Sequence, residues 1–334
     1  MTRMHQTNPT SRQLPGERRS PIDRRRLRAI FGVAVLASIL TATTGCDKNA
    51  ETAEVPVRRT NLANRPNVIF LLFGDHADPR LLPIATVIDG QVAALSLDAQ
   101  GWRDFDHIYF HPGAQLSLYR DGLPDGDGEI RRGMWDAAGP LYTLPRCRSV
   151  KPLAALVPRR SEASEVMLER VATSERLAPA PDRGPVPRSA LDTARAIALR
   201  VSQREGITRN ARAGLDLAVF AIRTGATAAP TLVASYMERG GGIQGHPRHL
   251  FVLADSTPNG YTPSFVHSAD DSLPEFRRYI DHIDVTGDGV DELLLEGWAN
   301  GGDSFLLFLR YTNGKWREMA RGETSWCADP KRTT

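Results

Sequence analysis

Over most of the chain, apolar and polar positions alternate in short runs punctuated by Gly, Asp and Asn. This is the pattern of a protein built chiefly from β-strands. The pattern is clearest in residues 212–327. There Ile280–Val285, Glu292–Trp298, Ser304–Tyr311 and Trp316–Gly322 are strand-length apolar segments. They are joined by an acidic loop, by Asn300-Gly301-Gly302 and by Asn313-Gly314. Asn-Gly suits the two positive-φ positions of a tight hairpin, so these segments predict a four-stranded meander. A weaker copy precedes it, with Leu215–Ile222, Thr231–Met237, His249–Ala254 and Ser264–His267 in the same order. In that copy Thr224–Ala229 takes the place of the acidic loop without its carboxylates. Tandem four-stranded meanders are how propeller blades are written, and two blades are too few for a ring. Either the N-terminal strands complete the assembly or the two sheets form a pair without a ring.

Residues 67–157 also read as strands. Val68–Phe73 is a continuous apolar run between Pro66 and Gly74, the mark of a buried strand. Pro83–Ile88 and Gln91–Leu97 flank Asp89-Gly90, a strong hairpin signal. His107–Phe110, Gln115–Arg120 and Glu129–Trp135 are further predicted strands. Residues 158–188 turn polar and then proline-rich, from Ala178 to Pro187, which predicts a linker and a domain boundary. Ser189 then caps a helix with Asp192 in its first turn. Leu191, Ala194, Ile197, Ala198 and Val201 share one face, and Gly206 ends it. The expected fold class is mainly β (α+β). An export signal spans 1–45 and a polar tether 46–66. A β-rich domain spans 67–157, a linker 158–188, the helix 189–206 and the meander domain 212–327.

The N-terminus places the mature protein. Arg24, Arg25, Arg26 and Arg28 precede an apolar run from Ala29 to Leu40, and small residues lead to Gly45-Cys46. A basic segment followed by an apolar one is an export signal, and at 12 residues the run is shorter than the roughly 20 that span a bilayer. The competing reading is an uncleaved anchor helix. Gly45-Cys46 resembles the lipobox of bacterial lipoprotein signals, with Thr43 where that family prefers Leu. The resemblance implies a lipid on Cys46 and a membrane-anchored protein of the bacterial cell envelope. Residues 1–45 hold eight arginines and two acids, so the chain's formal +3 becomes about −3 from Cys46 onward. A basic face for nucleic acid is therefore not expected. Cys147 and Cys327 remain in an oxidising compartment, either as a disulfide or as two thiols.

Candidate chemistry concentrates in Asp284-Val-Thr-Gly-Asp-Gly-Val-Asp-Glu292. Calcium takes oxygen ligands on a tightly turned chain. Asp284, Asp288 and Glu292 supply carboxylates at positions one, five and nine. Thr286 supplies a hydroxyl at position three, Val290 a carbonyl at position seven, and Gly289 permits the turn. Asp291 is either a further ligand or a solvent-facing side chain. The segment resembles the loop of FG-GAP/VCBS repeats, with Thr286 where that family has Asp or Asn. The resemblance implies calcium-stabilised β-blades and an extracytoplasmic interaction role, without catalysis. The alternative is a Gly-Asp hairpin that binds nothing.

Other clusters carry less. Asp75, His76 and Asp78 follow an apolar strand as in the Gly-Asp-x-x-Asp element of metallophosphatases, but the companion motifs of that family are missing. His107 and His111, near Asp104 and Asp106, lie in a predicted strand and turn, away from a shared helical face. Asp121, Asp125, Asp127 and Glu129 read as an acidic hairpin tip, with a second calcium site as the alternative. No Gly-x-Ser-x-Gly, His-Glu-x-x-His, P-loop or nucleotide fingerprint occurs. The expected role is a non-catalytic binding or structural module of the envelope. Its partners are the membrane, through the lipid, and an envelope protein or glycan. The second reading is a metal-dependent envelope hydrolase using the Asp75/Asp78 turn.

Overall fold

The first strand, β1 (Asn67–Phe73), is buried on both faces, which is why its sequence shows no alternation. In the computed structural model, residues 60–73, 80–132, 154–158, 169–238, 249–269, 275–299 and 304–322 are described, all within Val55–Thr334. After β1 come β2 (Arg80–Ile88), β3 (Gln91–Ala94), α1 (Ala99–Tyr109), β4 (Gln115–Arg120), β5 (Leu123–Arg132), β6 (Ala154–Pro158) and β7 (Arg170–Thr173). They are followed by α2 (Ser189–Arg204), α3 (Arg209–Ala213), β8 (Leu215–Ile222), β9 (Thr231–Glu238), β10 (His249–Thr257) and β11 (Gly260–Ala269). The last sheet contains β12 (Glu275–Ile283), β13 (Glu292–Ala299), β14 (Ser304–Thr312) and β15 (Lys315–Arg321). The fold is mainly β.

Three antiparallel sheets result. The first runs β1-β7-β4-β5-β6-β2-β3 and curls until β2 also pairs with β1. The other two are simple meanders, β8 to β11 and β12 to β15. The hairpin turns Asp89-Gly90, Asp121-Gly122 and Asn313-Gly314 have positive φ at both residues, the geometry that matches strand twist.

Packing stacks these sheets. Val68, Phe70 and Leu72 of β1 face α1, whose Phe105 and Tyr109 fill the curl of the first sheet. Ile69 and Leu71 face the other way, with Leu82, Ile84 and Val171, onto Ile283, Leu294, Leu306 and Phe308 of the last meander. The opposite face of that meander, Leu293, Leu295, Leu307 and Leu309, meets Val233, Phe251 and Leu253 of the first meander. Helix α2 closes the far side through Ala194, Ile197, Ala198 and Val201. Each leucine fully buried in these layers contributes about 1.5–3 kcal/mol. The two meanders thus stand face to face, covered by a helix on one side and by the N-terminal sheet on the other. Among the described residues they form a stack and no ring.

Several local expectations change. Residues 107–109, expected in a strand, end helix α1. The side chain of Asp98 accepts the Gly101 N–H as its N-cap, and Trp102, Phe105 and Tyr109 recur at helical spacing into one aromatic cluster. The 158–188 segment, read as a linker, contributes β7, which bonds to both β1 and β4. Ser189 is the first residue of α2, not its cap, and no side chain caps that end. β12 ends at Ile283, two residues earlier than expected, because Asp284 already belongs to the loop. Among the described residues no helix is long and apolar enough to cross a membrane.

Candidate cation loop and adjoining cleft

Ile283 of β12 pairs with Glu292 of β13, so the ladder hands the chain directly into a loop from Asp284 to Asp291. Asp284 organises it. Its carboxylate accepts the N–H groups of Gly287 (2.7 Å), Asp288 (3.2 Å) and Gly289 (2.9 Å). Such a wrap needs positive φ, and Gly287 (76°) and Gly289 (85°) provide it without a Cβ penalty. Asp288 accepts the Val290 N–H through Oδ1 (2.9 Å) and the Arg310 guanidinium through Oδ2 (2.6 Å).

Glu292 is fully buried. Its carboxylate accepts the Val285 N–H (3.2 Å) and the Thr286 hydroxyl (3.1 Å), with Arg310 Nε 3.7 Å away. Burial pushes its carboxyl up to about 7, and the nearby Asp288 and Asp284 charges push the same way. Asp291 is not a solvent-facing side chain. It is buried with its Oδ2 on Arg183 (2.6 Å), and its own N–H donates to the Thr224 carbonyl (2.8 Å). Burial raises the Asp291 carboxyl while Arg183 pulls it down. Arg183 also donates to the carbonyls of Arg223 (2.7 Å) and Gly289 (3.0 Å). One guanidinium from the proline-rich segment therefore ties the loop to the end of β8.

The residue types fit a hard cation, but the arrangement does not. Among the described residues no three acidic, histidine or cysteine side chains converge to hold a metal ion. At Asp288 and Glu292 the nearest positive charge is Arg310. The corresponding turn of the first meander uses hydroxyls instead. Thr224 Oγ1 and Thr231 Oγ1 are 2.9 Å apart, and Thr231 donates to buried Asp255 (2.6 Å).

A cleft of about 280 Å³ lies beside the loop. It is bounded by the β4–β5 turn at Asp121 to Leu123, by the segment from Ala180 to Gly184 and by the end of β8, with His282 on its wall. The buried Asp281 carboxylate accepts the N–H groups of Asp121 (2.9 Å) and His282 (2.7 Å), fastening that turn to the last meander. Burial pushes the Asp281 carboxyl up to about 7 and lowers the His282 imidazole. His282 Nδ1 lies 3.6 Å from Asp291 Oδ2 and has no hydrogen-bond partner. A Cβ at Gly122 would come within 2.9 Å of both atoms, so glycine is what lets the turn close over them.

The remaining sequence candidates do not assemble. His107 and His111 are exposed, and the imidazole of His111 reaches only the Pro112 carbonyl (3.4 Å). Asp104 accepts from Gln100. Of the four acids expected at a hairpin tip only Asp121 lies in the turn; Asp125, Asp127 and Glu129 lie on β5, where Asp125 pairs with Arg170, Asp127 with Arg176, and Glu129 accepts from Gln115. Cys46, Asp75, His76, Asp78, Cys147 and Cys327 lie outside the described residues. Sequence reasoning missed Arg183, Arg310, Asp281 and His282. An arginine inside a proline-rich spacer was the one available hint. No known protein family, curated protein or solved structure matches this chain.

Proposed function

We propose that the chain is an exported, lipid-anchored protein of the bacterial envelope, acting as a non-catalytic binding or structural module. One observation carries the non-catalytic part. The acidic side chains of the loop hold backbone N–H groups or an arginine from another element, and thereby join the proline-rich segment, β8 and the last meander. Side chains committed in this way fix a scaffold. A general acid or base needs a carboxylate within reach of a reacting proton. The polar stretch 47–66 is the tether in this reading, with Cys46 as its lipidated end and an envelope protein or glycan as the partner. Nucleic acid has no place in it.

The test is metabolic labelling with a clickable fatty acid, followed by membrane fractionation of the native chain and of Cys46→Ala. The native chain is expected to carry label and to sediment with membranes. The variant is expected to lose the label and the mature N-terminus at residue 46. Equal labelling and equal processing of both would overturn the proposal.

A further inference from the structure

We infer that the outer edge of β8 is an interface between two copies of this chain, which pair through it into one continuous antiparallel sheet.

An edge strand offers unpaired N–H and C=O groups to any other strand. Folds blunt such edges with short strands, prolines, basic side chains and β-bulges. Among the described residues five strands stand at sheet edges: β3, β8, β11, β12 and β15. Four of them are blunted. β3 has only four residues. β11 carries Pro263, β12 carries Arg277 and Arg278, and β15 carries Lys315 and Arg317. The ladder also skips one residue in each of these three, at Ser264, Ile280 and Met319. β8 has none of these devices. Its eight residues pair with β9 without a break, and Asp216 is the one charged side chain among them. Among the described residues no backbone group outside β9 bonds to Leu215–Ile222.

The edge is accessible. Asp216, Leu217 and Ala218 are exposed in succession, so the first half of β8 is uncovered on both faces of its sheet. Leu217, 37% exposed, is a large apolar side chain left in solvent there.

The strand also fits itself, which selects a second copy over a foreign strand. Leu215, Val219 and Ala221 pack on the α2 side, and alternation puts Leu217 with them; Phe220 and Ile222 pack on the other side. A second copy running antiparallel about a twofold axis through Ala218 keeps each face with its like. Leu217 then opposes Val219 of the second copy, Leu215 opposes Ala221, and Asp216 opposes Phe220. Every directly opposed pair on the α2 side is apolar, and no charge meets a like charge.

The test is capture between two differently tagged copies of the full chain, co-expressed and purified in detergent. Ala218 is exposed and lies on the axis, so a charge placed there faces its own copy. Native copies are expected to capture one another. Ala218→Lys is expected to lose capture of itself at least about tenfold, and Ala218→Glu likewise. Co-expression of Ala218→Lys with Ala218→Glu is expected to restore capture, because opposite charges then face across the axis. No capture between native copies would overturn the inference and leave the edge to a strand from another protein. Full capture within each variant would overturn it by placing the interface elsewhere. Failure of the mixed pair, with both variants folded by circular dichroism, would overturn the pairing about Ala218. A second measurement uses the native chain alone, so it does not depend on a variant folding. Amide exchange in Leu215–Ile222 is expected to slow as protein concentration rises, while exchange in β15 stays constant. Exchange in β8 that is independent of concentration would overturn the inference.

Discussion

Replacing Asp255 by alanine should unlock the two meanders from each other. Asp255 lies on β10 and is 1% exposed. Its carboxylate accepts from Thr231 Oγ1 (2.6 Å) on β9, from Ser264 Oγ on β11, and from Trp316 Nε1 (2.7 Å) on β15 of the other sheet. The three donors do not lose equally. The Thr231 hydroxyl keeps Thr224 at 2.9 Å, and the Ser264 hydroxyl keeps the Leu253 carbonyl at 3.3 Å. The Trp316 indole N–H is left without a partner. An orphaned buried donor costs about 1–3 kcal/mol, and charge-assisted bonds lost at the hydroxyls add to it. Against this, deleting a buried carboxylate returns its desolvation cost. The expected net loss for Asp255→Ala is about 2–4 kcal/mol. For Asp255→Asn it is about 1–2 kcal/mol, because the amide oxygen still accepts the indole N–H while hydroxyls can reverse to meet the amide. Trp316→Phe removes the orphan, so the double-mutant cycle should show about 1–3 kcal/mol of coupling between the two positions. Urea unfolding followed by far-UV circular dichroism measures all four chains without relying on the mutated fluorophore. A coupling below about 0.5 kcal/mol, or Asp255→Ala within about 1 kcal/mol of the native chain, would refute this account.

Two further outcomes follow from the site. Gly122→Ala places a Cβ 2.9 Å from His282 Nδ1 and Asp291 Oδ2 at a φ of +73°, and should cost about 1–3 kcal/mol in urea unfolding. An unchanged midpoint would contradict the close approach of the turn. His249 is neutral in the fold, with Nδ1 facing the Tyr236 carbonyl (2.8 Å) and Nε2 accepting the Arg277 N–H (2.9 Å); burial lowers its value from 6.5 to about 4. Between those values the unfolded chain holds the extra proton, so this group's stability is present above about pH 6.5 and is lost as pH falls toward 4. Asp281 works in the opposite direction. Its folded value near 7 lies above the ordinary 3.8, so its contribution falls as pH rises through that window. The advantage of the native chain over His249→Gln should therefore shrink on acidification, and its advantage over Asp281→Asn should shrink on alkalinisation. Parallel pH profiles for native chain and variant would contradict either assignment.

How much of this could be read in advance depends on the range of the physics involved. The last meander was legible because its signals are local. Alternation sets the strand faces, and Asn313-Gly314 adopts the positive φ pair that its sequence suggests. The buried run in β1 was legible for the same reason. Helix α1 was misread because Ile108-Tyr109-Phe110 carries aromatic and β-branched residues that favour strands in isolation. The wider spacing of Trp102, Phe105 and Tyr109, with Asp98 as cap, outweighs them once the curled first sheet offers an apolar pocket. Strand β7 was missed because four residues inside a polar stretch carry too short a pattern, although all four are buried.

The acidic loop marks where legibility stops. Asp284, Asp288 and Glu292 announce themselves by spacing, since a turn of that tightness needs carboxylates to gather its N–H groups. The charges that answer them do not. Arg183 stands 108 residues from Asp291, and Arg310 stands 22 residues from Asp288 across a strand pair. Arg183 arrives through the packing of a segment distant in sequence, and Arg310 through the register of the β13–β14 pair. A concentrated run of acids in a tight loop states that positive charge is required there. Whether that charge is an ion from solution or a guanidinium from the next strand is decided by tertiary register. In this chain the register of β13 and β14 sets Arg310 beside Glu292. A loop whose sequence reads as a calcium site thus folds around an arginine.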